Sequence, residues 1–207
     1  MTDNPDPDAA KANNKKVSVM LIRVSILAAI VALIVAGGTE GAKAQGAFTL
    51  SSSSFKDGDR LVVKYGGNNK SNPNCVGDNV SPALSWTHPP AGTNSFALIM
   101  FDADGRPPIG FVHWLAYGIP ASVTGLAEGE GSKPGDKFVG GQNTAKLSSY
   151  LGPCAPAGTT HHYVFTLIAT DLEPTALKEG MTREEVVKAL EGHAKGAAGL
   201  FATYTKP

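Results

Sequence analysis

From residue 46 onward, short apolar runs are separated by clusters of Gly, Pro, Asn and Asp, a spacing that predicts an all-β sandwich or barrel. Candidate strands fall at 48–50, 61–65, 84–86, 96–102, 112–118, 161–170 and 200–204. The run Phe96-Ala97-Leu98-Ile99-Met100-Phe101 is apolar at every position, which predicts a central strand covered on both faces. In 161–170 the pattern alternates, so His161, Tyr163, Phe165, Leu167 and Ala169 share one face and His162 points to the other, towards the surface. Trp114 alternates with His113 and is expected in the core.

One helix is signalled. Thr182-Arg183-Glu184-Glu185 has the form of a capping box, with Met181 and Val186 placed to staple across it. The helix is expected to run to about Glu191, with Gly192 as its stop. The segments 66–79, 105–110, 128–147 and 150–160 read as loops, long ones for a compact domain, and long loops often carry function.

Residues 1–44 stand apart. A polar start ending in Lys15-Lys16 leads into the apolar stretch 17–36, broken by Arg23. Ala42-Lys43-Ala44 then offers small side chains at the positions a signal peptidase reads, so cleavage is expected after Ala44. The alternative is an uncleaved anchor in the inner membrane, since about 20 apolar residues span a bilayer. Either way residues 45–207 form a domain outside the cytoplasm, periplasmic or secreted, and membrane contact comes only through an uncleaved leader.

Composition narrows the function. Lys plus Arg and Asp plus Glu are 18 each, which excludes the basic surplus of a general nucleic-acid binder. The 24 Gly and 14 Pro fit a turn-rich fold. Two cysteines, Cys75 and Cys154, permit one disulfide in an oxidising compartment.

Several segments are similar to those of bacterial phosphatidylethanolamine-binding proteins of the Raf-kinase-inhibitor-like branch. Gly77-Asp78-Asn79-Val80-Ser81-Pro82-Ala83-Leu84-Ser85-Trp86 resembles the family's G-x-N-x-S-P-x-L-x-W. Phe101-Asp102-Ala103-Asp104 resembles its D-P-D-A-P segment, and His113-Trp114 with Ile119-Pro120 its H-W…N-I-P strand. The stretch from Tyr150 to Gly158, followed by His161-His162-Tyr163-Val164-Phe165, resembles Y-x-G-P-x-P-P-x-G…H-x-Y-x-F. The resemblance spans about residues 48–204. It implies an antiparallel β-sandwich, mostly β, with one or two peripheral helices.

It also implies a pocket in which Asp102, His113 and His161 converge, walled by Gly152, Pro153, Pro156 and Tyr163, with Asp104 either binding ligand or capping a turn. The residues by themselves agree in part. A carboxylate ending a buried strand needs a partner, and histidines stand where apolar strand residues are expected. Two imidazoles beside a carboxylate, with backbone N–H groups of a Gly-containing loop, would take a phosphate or carboxylate. A Cys75–Cys154 disulfide would tie two loops that the resemblance places near the pocket.

The expectation is therefore an exported binding protein for small anions, phospholipid head groups or phosphorylated ligands. It would have no cofactor and no enzymatic activity, and could act as an inhibitor or modulator of a kinase or protease. Two readings compete with it. One is a hydrolase using a metal on the same two histidines and carboxylate, or Cys154 with His161. The other is a surface protein with a vestigial pocket. His88 and His193 show no constellation around them.

Overall fold

Residues 46–133 and 135–207 are described by the computed structural model. The leader, its cleavage after Ala44 and the alternative anchor lie outside them. No helix among the described residues is long and apolar enough to cross a membrane.

The strands are β1 (Thr49–Ser51), β2 (Leu84–Thr87), β3 (Ser95–Asp102), β4 (Phe111–Pro120), β5 (Gly125–Leu126), β6 (Val139–Gly140), β7 (His161–Thr170) and β8 (Ala194–Tyr204), with one α-helix, α1 (Arg183–Ala189), among the described residues. They form a small sheet ordered β1-β2-β5 and a larger one ordered β6-β4-β3-β7-β8. Every strand pairing is antiparallel. This is the mostly β architecture the apolar spacing predicts, with the antiparallel pairing the family resemblance implies.

β3 is buried along nearly its whole length because it separates two cores. Phe96, Leu98 and Met100 enter the larger core, which also takes Leu50, Leu84 and Trp86 from the small sheet. Ala97 and Ile99 enter the other, where Val186 and Leu190 from the α1 region cover the outer face of the large sheet. The period of 2 along a strand sorts neighbours onto opposite faces, so an unbroken apolar run is what a doubly covered strand requires.

Two strand expectations need correction. Segment 61–65 is a 3₁₀ turn at Val63–Tyr65 and not a strand, with Tyr65 N–H donating to Val62 O (3.1 Å) and Gly66 N–H to Val63 O (2.8 Å). Leu61 and Tyr65 are buried while Val62 and Val63 between them are exposed, a spacing that fits a turn and that period-2 alternation does not. The last strand starts at Ala194, six positions before 200, and pairs with β7 along its length. Its Ala- and Gly-rich first half has little intrinsic strand preference; pairing decides it.

Helix α1 carries the predicted capping box. Thr182 Oγ1 accepts from Glu185 N–H at 3.4 Å, and Glu185 Oε2 accepts from Thr182 N–H at 2.8 Å. The helix gives way at Leu190, slightly before the expected Glu191, and Gly192 takes the left-handed conformation with φ 78°.

Candidate functional site

At one end of the large sheet, β3, β4 and β7 bring Asp102, His113, His161 and Tyr163 together around a cavity of about 220 Å³. The β3–β7 register sets Asp102 opposite Tyr163, and His161 lies on Tyr163's face one period further along. His113 arrives by another route. Met100 pairs with Trp114 but Phe101 pairs with Val112, so His113 is an extra residue in a β-bulge. Strict alternation would point His113 and Trp114 to opposite faces. The bulge instead puts His113 on the same side as Trp114: its ring meets Tyr163 at 5.1 Å between centroids, and Trp114 and Tyr163 belong to one core cluster. Trp114 is core as expected, but alternation is not the reason.

Asp102 is 2% exposed. Its Oδ1 accepts from Asp104 N–H (2.9 Å) and Gly105 N–H (3.1 Å) and so serves the following turn. Its Oδ2 accepts from His161 Nδ1 at 2.7 Å and lies 3.7 Å from His113 Nε2. His113 Nδ1 donates to Leu151 O at 2.7 Å; a carbonyl can only accept, so Nδ1 carries the proton. Burial opposes ionisation of Asp102, yet the two imidazoles outweigh it and hold the carboxyl below the ordinary carboxylate range. The fully buried Tyr163 hydroxyl has no hydrogen-bond partner. Asp102 is near enough to act on it by charge, without a well-formed hydrogen bond. Burial first, then that negative charge, push the phenol far above its usual range, so it remains a neutral donor.

The rim is made of loops. Gly152 and both cysteines line the cavity, and Cys75 and Cys154 form a disulfide, Cα–Cα 4.6 Å. Two amides of this wall are already committed: Leu151 N–H donates to His113 O (2.9 Å) and Gly152 N–H to Asn79 Oδ1 (2.8 Å). These two N–H groups are therefore not free to cradle an anion, which removes the Gly152 amide from the expected loop donors.

Other expected site residues lie elsewhere. Asp104 is outside the cavity lining: its Oδ2 accepts from His162 N–H (2.8 Å) and meets His162 Nδ1 at 2.7 Å on the exposed outer face. The turn that carries Asp104 is pinned by Asp102, and this aims the second acid outward. Pro153 and Pro156 are also absent from the lining. Pro153 is buried with its carbonyl accepting from Gly67 N–H (2.8 Å), and the Pro156 carbonyl closes a turn with Thr159. His193, expected to stand alone, pairs with Asp171 at 2.7 Å beside Lys195.

Sequence reasoning missed Asn79, Asn69, Asn72 and Phe111. Asn79 sits at φ 59° and clamps the rim by donating to Tyr150 O (3.2 Å) as well as accepting from Gly152 N–H. Its sequence signals are its place as the Asn of the G-x-N-x-S-P segment and a turn-forming block, where Asn tolerates the left-handed region. Asn69, Asn72 and Phe111 line the cavity. The asparagines come from a loop with no periodicity to read.

The arrangement can hold an anion on imidazole N–H groups and a phenol O–H, with Asp102 orienting the rings. Among the described residues no cluster of three His, Cys, Asp or Glu has the geometry to hold a metal ion.

Residues 51–205 match the family model described as phosphatidylethanolamine-binding protein. A UPF0098 protein of Methanothermobacter thermautotrophicus is 36% identical over 159 residues, covering 76% of this chain and 98% of its own length. The putative lipoprotein LppC of Mycobacterium tuberculosis is 36% identical over 175 residues, 80% of this chain and 76% of that one. Among solved structures, Escherichia coli YbcL superposes with a TM-score of 0.69 at 29% identity, covering 76% of this chain and 98% of YbcL. A homologue from Chlamydia trachomatis superposes at 0.67 with 33% identity, covering 78% and 99%.

Proposed function

This chain belongs to the phosphatidylethanolamine-binding protein family, and from that premise we propose that it is an exported binding protein whose cavity takes up a small anionic group: phosphate, a phospholipid head group or a phosphorylated ligand. The observation that carries the reading is the Asp102 carboxylate, kept ionised between His161 and His113 beside an unpartnered buried Tyr163 hydroxyl. A buried donor without an acceptor is costly, and a ligand oxygen relieves it. Asp102 holds the imidazoles in place, and the anion then meets ring nitrogens and a neutral phenol. The M. tuberculosis relative is named a putative lipoprotein, which supports an envelope location.

A nucleophilic Cys154–His161 pair finds no support, because the disulfide occupies the sulfur. Calorimetric titration with phosphoethanolamine and with phenyl phosphate tests the proposal. Saturable heat is expected, lost in His113→Ala and His161→Ala. Dilution heat alone for every anion, with folded protein, would remove it.

A further inference from the structure

A second cavity, of about 270 Å³, lies at the same strand ends on the other face of the large sheet. Asp102 and His113 face the first cavity, while their neighbours Phe101 and Val112, paired with each other across β3 and β4, line the second. Gln142 and Lys146 from the 142–146 loop, with Arg183 at the start of α1, close its other sides.

Charge is unbalanced there. Arg183 lies over Phe101, with Cζ 4.9 Å from the ring centroid. One face of the guanidinium is thus packed and its edge nitrogens are left to donate. Its Nε is buried with no hydrogen-bond partner. The one carboxylate within 4 Å of the guanidinium among the described residues is that of Glu184, which also lines the cavity; it stands 3.8 Å from Nη1, is 78% exposed, and leaves two lining cations against one acid. Lys146, held at φ 62° at the tip of its turn, forms no ion pair among the described residues. Ile109 stands at the rim, 67% exposed.

Two cations beside an aliphatic and aromatic wall are complementary to an acid carried on an apolar body. A bare phosphate would leave the Ile109–Val112 wall uncovered, and a neutral hydrocarbon would leave Arg183 unmatched. We infer that this cavity is a second binding site, for a small carboxylate-bearing ligand with a planar apolar body, whose carboxylate meets Arg183 and Lys146 while the body lies along Ile109, Val112 and the edge of Phe101. It is independent of the anion cavity and does not require that site to bind anything.

The experiment is a resonance-by-resonance titration of the isotope-labelled chain with hydrocinnamate, with hydrocinnamyl alcohol (the same body without the acid) and with inorganic phosphate. Saturable shifts from hydrocinnamate are expected at the amides of Gly110, Lys146 and Arg183 and not at Gly152 or His161. The alcohol and phosphate should bind at least about tenfold more weakly, and Arg183→Gln or Lys146→Gln should each weaken the acid by about tenfold while the remaining spectrum stays native. Absence of saturable shifts, shifts centred on Gly152 and His161, equal binding of acid and alcohol, or equal binding of bare phosphate would each overturn it.

Discussion

The floor of the Asp102 cavity rests on three adjacent strands, whereas its rim is assembled from loops far apart in the chain. On the floor, Asp102 and Tyr163 pair directly and His161 follows by register, all within the ladder of β3, β7 and β8, with His113 added from the β4 bulge. At the rim, residues 67–79 and 151–155 share no ladder; they are joined by the Cys75–Cys154 bond, the Asn79 side chain and close backbone packing. A β-carbon on Gly152 would collide with Tyr65 O and lie 2.6 Å from Gly67 N, so only glycine lets the two loops meet there. Register is cooperative and shared among many bonds, while a clamp depends on a few. The floor should therefore be the more robust in position and the rim the more easily loosened.

Removing the centre of the floor should have the largest effect. Asp102→Ala strips both imidazoles of their buried partner and should cost about 3–5 kcal/mol in urea unfolding, with loss of anion binding. If stability is unchanged, the carboxylate does not organise the floor. Cys75→Ser combined with Cys154→Ser should cost about 2–4 kcal/mol by releasing the loops in the unfolded chain. Anion affinity should fall less than in His161→Ala; a complete loss with intact strands would make the rim, and not the floor, the binding element.

Asn79→Ala should cost about 1–3 kcal/mol, because it orphans the Gly152 N–H and Tyr150 carbonyl and strains a left-handed position. Asn79→Gly restores the backbone freedom but not the bonds, so any recovery measures strain alone.

Acid titration separates the regions further. The Asp102 carboxyl is depressed in the folded state, so its contribution is fully present above the unfolded value of about 3.9 and is lost as pH falls through the lower folded value. The acid limb of stability should flatten in Asp102→Asn and keep its slope in Asn79→Ala. The smallest effect belongs to a region remote from the Asp102 cavity: Thr182→Ala should cost about 1 kcal/mol through loss of the helix cap and leave phosphate-ester binding unchanged.

Much of the architecture was legible because side-chain periodicity is local. The doubly buried β3, the sided β7 and the capping box of α1 each follow from a few consecutive residues. The Ala- and Gly-rich start of β8 and the turn at Val63–Tyr65 were not, because their state depends on which distant segment offers hydrogen bonds. At the site, the residues at the ends of register-paired strands could be named in advance, while Asp104 could not be oriented without knowing that Asp102 Oδ1 pins the turn beneath it.

The sequence by itself determined the family, the mostly β fold and the identities of the acid, the imidazoles and the phenol. Tertiary structure alone decided on which side of the sheet His113 stands, since one extra residue in the β4 bulge reverses the face that alternation assigns. It also decided which rim amides are already spent and that the cysteines meet. These are matters of distance between segments far apart in the chain, and no local pattern of apolar and polar residues encodes them.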